Sequence, residues 1–201
     1  MPTPHPNFTD YYRLLSSPQG QTLFGRWDGD VFRFSPPRWV SRPYRLTGGG
    51  ALREGGRWNN RNLIPANYFS TSPETAMAEA DAKAARYGWR PQDMRTQTRI
   101  IVGLTVQAVL DLTNANTLAA LGVTTAEIIS CDWATEQNAN REAMTQAIGR
   151  AVFETLGEGL LVPSARRAGG TNLVYFGSHR RDGTAVVTHD EENIPFVHGL
   201  P

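Results

Sequence analysis

The sequence predicts a single α+β domain with a central set of mixed β-strands flanked by helices. Three observations carry this. Strand-like and helix-like segments are interspersed without the regular βαβ alternation of a parallel sheet. A length of 201 residues suits one well-cored domain. A hydrophobic fraction of 40% against 19% charged residues is the balance of an ordinary globular chain. No apolar run approaches the ~18 residues of a membrane span. The opening Met1-Pro2-Thr3-Pro4-His5-Pro6 has neither the basic region nor the apolar core of a signal peptide, so a cytoplasmic location is expected.

Taken in order, residues 1–30 read as a lead-in arm, with an apolar patch at Tyr11-Tyr12-Arg13-Leu14-Leu15 and a turn at Trp27-Asp28-Gly29-Asp30. Residues 31–34 alternate as a strand; with Phe32 and Phe34 turned to the core, Arg33 faces a cleft or solvent. Pro36, Pro37 and Pro43 interrupt regular structure. The glycines at 48–50 and at Gly55 and Gly56 supply either a surface loop or backbone that can approach a ligand closely. Neither a Walker A pattern nor a dinucleotide fingerprint is among them.

Residues 64–71 form the next expected strand. Ser72 is then an N-cap with Pro73 at the first helical position, and the helix should run to Tyr87 and stop at Gly88. Ala76, Met77, Ala80 and Ala84 follow helical spacing, with Glu79 at the edge of that stripe. On spacing alone, Glu79 pairs with Lys83 at the surface or faces a site. Strands are expected at 99–106 and 110–112, short helices within 117–130, and the clearest helix at 139–156, where apolar residues recur at three and four. Residues 160–164 read as a short buried strand whose proline suits an edge or an end. Ser164 lacks the glycines of a nucleophile elbow and by itself is a turn serine. Residues 172–176 and 184–188 read as closing strands joined by a polar turn, making a hairpin and tail of residues 177–201.

Several chemistries are poorly supported. The single cysteine, Cys131, excludes an internal disulfide and a multi-cysteine zinc framework, and it reads as a small packed residue. The four histidines have no metal-ligand spacing, so no metal is expected. The net charge is +1, yet Arg26, Arg33, Arg38, Arg42, Arg45, Arg53, Arg57 and Arg61 face only Asp28, Asp30 and Glu54 in the same window. That stretch is suited to an anion. A nucleic-acid surface without catalysis is one reading of it, with affinity falling steeply in salt. The near-neutral total charge and the lack of a nucleic-acid fold signature speak against it.

The motifs in order are Val31-Phe32-Arg33-Phe34, Gly48-Gly49-Gly50-Ala51, Gly55-Gly56-Arg57-Trp58-Asn59, Tyr68-Phe69-Ser70, Ser72-Pro73-Glu74-Thr75-Ala76-Met77-Ala78-Glu79, Val162-Pro163-Ser164 and Asn172-Leu173-Val174. This series resembles the RES domain, the toxin component of RES–Xre toxin–antitoxin pairs, over residues 31–176. Arg33, Glu79 and Ser164 fall where the family's namesake arginine, glutamate and serine would stand. The resemblance implies a fold similar to the ADP-ribosyltransferase toxins and consumption of NAD, by hydrolysis, phosphorolysis or transfer of ADP-ribose to a protein. It implies Glu79, Arg33 and Ser164 as catalytic residues and Arg57, Tyr68 and Gly56 as the NAD-binding set. Arg33 and Arg57 would grip the pyrophosphate and Tyr68 would pack on the nicotinamide or its ribose. It also implies a neutralising antitoxin as partner.

Overall fold

The computed structural model describes residues 2–35, 46–86, 88 and 96–195. The proline breaks at 36, 37 and 43, the arginines at 38, 42 and 45, the expected helix end at Tyr87 and the last six residues lie outside the described residues.

Five strands close into a ring. They are β1 (Phe24–Ser35), β2 (Asn67–Ser70), β3 (Thr96–Asp111), β4 (Gly159–Pro163) and β5 (Thr171–Tyr175), joined in the order β1-β2-β5-β4-β3 and closed by pairing of β1 with β3. Only the β3–β4 pair is parallel. A sixth strand, β6 (Ala185–Pro195), runs antiparallel along the N-terminal part of β3. The strands expected at 172–176 and 184–188 both form, but not as a hairpin, because β5 is held between β2 and β4 while β6 pairs with β3. The ring's closures differ greatly in extent. β1 lies along β3 for most of its length, whereas β1 meets β2 at one residue pair, Phe32 with Ser70.

The residues expected as two strands at 99–106 and 110–112 belong to the single strand β3. The pairing with β1 slips between Gly25 and Trp27, opposite residues 106–109. At that irregularity the amides of Gln107 and Ala108 both donate to Oε2 of the buried Glu158, at 2.8 and 3.1 Å. The carboxylate supplies the acceptor that the local ladder does not, so the strand continues through its bulge.

The helices are α1 (Phe8–Ser16), α2 (Pro18–Gln21), α3 (Gly49–Glu54), α4 (Pro73–Arg86), α5 (Ala115–Leu121), α6 (Thr125–Ser130), α7 (Trp133–Asn138) and α8 (Met144–Glu154), with α4 packed on β1 and β2 and α8 on β4. The helix expected over 139–156 is shorter. Asn140 takes φ 56 and Ala143 is extended, so the chain straightens before α8. That straight stretch is used: Thr3 and Arg141 form one isolated parallel bridge, and the His5 amide donates to Glu142 at 3.0 Å. The lead-in is therefore built into the domain, with Tyr11 and Leu15 of α1 buried against Ile148 and Val152 of α8.

Two cores follow the strand period. Leu173 and Tyr175 of β5 join Val31, Phe69, Ile100, Val102 and Leu104 in one, while Val174 and Phe176 turn to the helical core with Trp58, Leu110, Ile148 and Leu160. The inward residue of β1 is Val31, not the expected Phe32 and Phe34, which are half-buried. Arg33 shares the face of Val31, and its guanidinium stands over the Phe69 ring at 5.2 Å. The long Phe69 ring offers a stacking surface for the aliphatic stem and the cation together.

Candidate active site

Helix α4 begins where the Ser72-Pro73 pair predicts, with the Thr75 amide donating to Ser72 Oγ at 3.2 Å. Thr75, Ala76 and Ala84 are buried, which fixes the helix's rotation and turns Glu79 toward the ends of β4 and β5. There, Glu79 Oε1 accepts the Ser164 hydroxyl at 2.7 Å and the Asn172 amide at 2.8 Å. Glu79 is thereby engaged with residues from the ends of β4 and β5. Ser164 follows Pro163, the last residue of β4, and its hydroxyl also accepts the amides of Arg166 and Arg167 at 3.1 and 3.2 Å. Asn172 in turn accepts the Ser70 hydroxyl at 2.7 Å.

Arg33 lies on the sheet face of Val31 and Phe69, whereas Ser70 and Asn172 alternate to the opposite face. Arg33 lies across from Phe69, the residue before Ser70, by continuation of the Phe32–Ser70 pair.

The loop Gly55-Gly56-Arg57-Trp58-Asn59 is locked on every side. Trp58 is buried, and a Cβ on Gly149 of α8 would come within 2.0 Å of the Trp58 carbonyl oxygen, so only glycine lets the helix approach. Asn59 donates to the carbonyls of Ala51 and Ile64 at 2.8 and 3.0 Å. Gln146 donates to the Gly56 carbonyl at 3.0 Å. The Tyr68 hydroxyl accepts the Trp58 amide at 2.9 Å and donates to Asn59 Oδ1 at 2.8 Å. A Cβ on Gly56 would lie 2.5 Å from that hydroxyl, so Gly56 makes room for Tyr68. Tyr68 is half-buried as a residue but its hydroxyl is enclosed, and burial pushes the phenol well above the ordinary tyrosine range.

Arg57 Nη1 donates to the carbonyls of Ile128 and Cys131 at 2.7 and 3.0 Å. It thereby caps the C-terminal end of α6, where a cation meets the negative end of the helix. Burial lowers the guanidinium from its ordinary value, and it also feels the charges of Arg166 and Glu79. Arg57 thus serves as a clasp between two segments.

Of the six site residues expected from sequence, Glu79 and Ser164 are brought into direct contact, and Gly56 and Tyr68 form one contact of their own. Asn172 and Ser70 join the site without having been singled out for it. The available signal was a polar residue in each of two otherwise apolar strand segments, Tyr68-Phe69-Ser70 and Asn172-Leu173-Val174. A groove of about 350 Å³ lined by Phe24, Trp27, Asp111 and Thr117 includes none of these residues. Among the described residues, no cluster of histidine, cysteine, aspartate or glutamate could hold a metal, and no helix is long and apolar enough to cross a membrane.

The fold and the site define an α+β domain in which a helix-borne glutamate is held against a serine and an asparagine at the ends of neighbouring strands. The RES domain model matches residues 30–197, and the chain belongs to the RES domain family. That match runs beyond residue 176 and through β6. The chain is 33% identical over 138 residues to the NAD(+) phosphorylase MbcT of Mycobacterium tuberculosis strain H37Rv, covering 68% of each protein. The same figures hold for the NAD(+) phosphorylase MbcT of Mycobacterium bovis. A crystal structure of the M. tuberculosis MbcT–MbcA toxin–antitoxin complex contains a chain of similar fold, with a TM-score of 0.68, 23% identity, and coverage of 95% of this chain and 93% of that one.

Proposed function

We infer that this chain is an NAD-consuming toxin that breaks the nicotinamide–ribose bond, with inorganic phosphate as the acceptor. The observation that carries the reading is the Glu79 carboxylate, gripped through one oxygen by Ser164 and Asn172, in a chain one-third identical to NAD(+) phosphorylases. Loss of neutral nicotinamide from the cationic pyridinium leaves oxocarbenium-like charge on the ribose. A fixed carboxylate beside that ribose favours the charge as it develops and orients a ribose hydroxyl. Glu79 takes that role. A phosphate oxygen then bonds to the anomeric carbon on which the leaving nitrogen stood.

Arg33 and Arg57 are assigned to the pyrophosphate, where a planar fork holds phosphate oxygens in a way that lysine does not. The ring face of Tyr68 packs on the nicotinamide or its ribose, its hydroxyl being held by Trp58 and Asn59. In this reading the architecture is a variant of the ADP-ribosyltransferase toxin fold, and a cognate antitoxin restrains the enzyme in its own cell.

The test is purified protein incubated with NAD, with and without inorganic phosphate, followed by nicotinamide release and product identification. Phosphate-dependent release with a phosphorylated ADP-ribose product supports the reading. Release that ignores phosphate would make it a hydrolase, and labelled protein in a lysate would make it a mono-ADP-ribosyltransferase. No loss of NAD from folded protein under any of these conditions refutes the reading.

A further inference from the structure

We propose that Asn172, backed by Ser70, is a positioning residue that commits Glu79 Oε1 to the protein and leaves Oε2 as the oxygen offered to substrate. The inference rests on Glu79 being the carboxylate at the ribose.

The proton directions follow from counting donors. Ser164 Oγ has one hydrogen, and the amides of Arg166 and Arg167 already point at its lone pairs. Its hydrogen therefore goes to Glu79 Oε1, 2.7 Å away. The Asn172 side chain has two possible orientations. With its carbonyl oxygen receiving the Ser70 hydroxyl at 2.7 Å, its NH2 faces Glu79 Oε1 at 2.8 Å. The reverse orientation would set two acceptor oxygens against each other at that distance. The carboxylate thus selects the orientation of the Asn172 amide, and Ser70, itself 3% exposed on β2, anchors that amide from its carbonyl side.

Both donors act on the same oxygen, and neither bond uses Oε2. Two donors approaching Oε1 from β5 and from the end of β4 fix the plane of the carboxylate as well as its position. Ser164 consequently serves to position Glu79, its proton and lone pairs being taken up within the protein. The reacting contact falls to Oε2.

Asn172→Asp keeps the shape but exchanges the NH2 for an acceptor, and Ser70→Ala removes the hydroxyl that anchors the amide's carbonyl. In the active protein, Asn172→Asp is expected to lower kcat for NAD cleavage on the order of a hundredfold, as for a misplaced catalytic group. KM should be little changed. Ser70→Ala should lower kcat by about tenfold, and combining it with Asn172→Asp should add nothing further, because both act through one contact. Losses that multiply, or that follow the fall in melting temperature, would overturn the proposal. A second measurement needs no activity. In protein labelled with 13C at glutamate carboxyls, the Glu79 signal, identified by its loss in Glu79→Gln, should move in both Ser70→Ala and Asn172→Asp. An unmoved signal overturns the proposal whether or not the wild-type protein cleaves NAD. A wild-type protein without NAD cleavage refutes the functional reading alone.

Discussion

Ser164 Oγ stands 2.7 Å from Glu79 Oε1 across 85 residues of chain, joining the end of β4 to the middle of α4. Glu79→Gln keeps the shape while removing the charge that would face the ribose. Cleavage of NAD is expected to fall at least a hundredfold, with the melting temperature little altered because Glu79 is half-buried. Ser164→Ala should cost activity and stability together, about 1–2 kcal/mol, since the amides of Arg166 and Arg167 lose their acceptor. Turnover measured beside thermal melts separates the two variants.

Tyr68 and Gly56 are coupled by space. Tyr68→Phe leaves the Trp58 amide and Asn59 Oδ1 without their shared hydroxyl, at a cost of about 1–3 kcal/mol. Gly56→Ala should cost a similar amount, because its Cβ would intrude on that hydroxyl. The folded protein holds the Tyr68 proton more tightly than the unfolded chain does. Its contribution is therefore complete below pH 10, the ordinary tyrosine value, and is lost as pH rises above it. Denaturant melts at rising alkaline pH should show a shallower decline in Tyr68→Phe than in the wild type.

Glu142 predicts the acid side of the stability profile. Burial by itself would raise its carboxyl, but the Arg150 fork, the His5 amide and the Asn60 amide overcome this and hold it below the ordinary carboxylate range. A depressed carboxyl gives stability that is present above about pH 4.5 and lost as pH falls below it. Glu142→Gln should lose about 3 kcal/mol near neutrality, since Arg150 keeps only its more exposed partner Glu154. It should also show a flatter decline from pH 6 to pH 3 in chemical denaturation.

Arg57 offers a test of divided duty. Arg57→Ala strips the carbonyls of Ile128 and Cys131 of their donor and should destabilise the fold by about 1–3 kcal/mol. If Arg57 also holds the pyrophosphate, KM for NAD should rise at least tenfold at a temperature where every variant is folded. Arg57→Lys should recover part of the stability but little of the affinity. An unchanged KM would leave Arg57 with the clasp alone.

Much of this was legible in the sequence for physical reasons. The Ser72-Pro73 start of α4 depends on local chemistry, so both the helix and the place of Glu79 on it could be read directly. The resemblance to the RES domain then grouped Glu79 with Ser164 and Arg33 at long range. What escaped was set by distant partners. The continuity of β3 depends on Glu158 satisfying a bulge from 50 residues away. The shortening of α8 depends on Thr3 bridging Arg141. The second duty of Arg57, as a cap on the end of α6, is set by carbonyls 71 and 74 residues on. Asn172 reads as one more strand residue until Ser70 is placed beside it.

The ring of strands is fastened unevenly, and its slimmest joint is the single rung between Phe32 and Ser70. On one side of that joint lies Arg33; on the other lies the Ser70–Asn172 brace of Glu79. A wedge driven between β1 and β2 would therefore part the arginine from the carboxylate while every other strand pairing stayed shut. Under the proposed roles of Arg33 and Glu79, opening that single rung would stop the reaction with nothing entering the site.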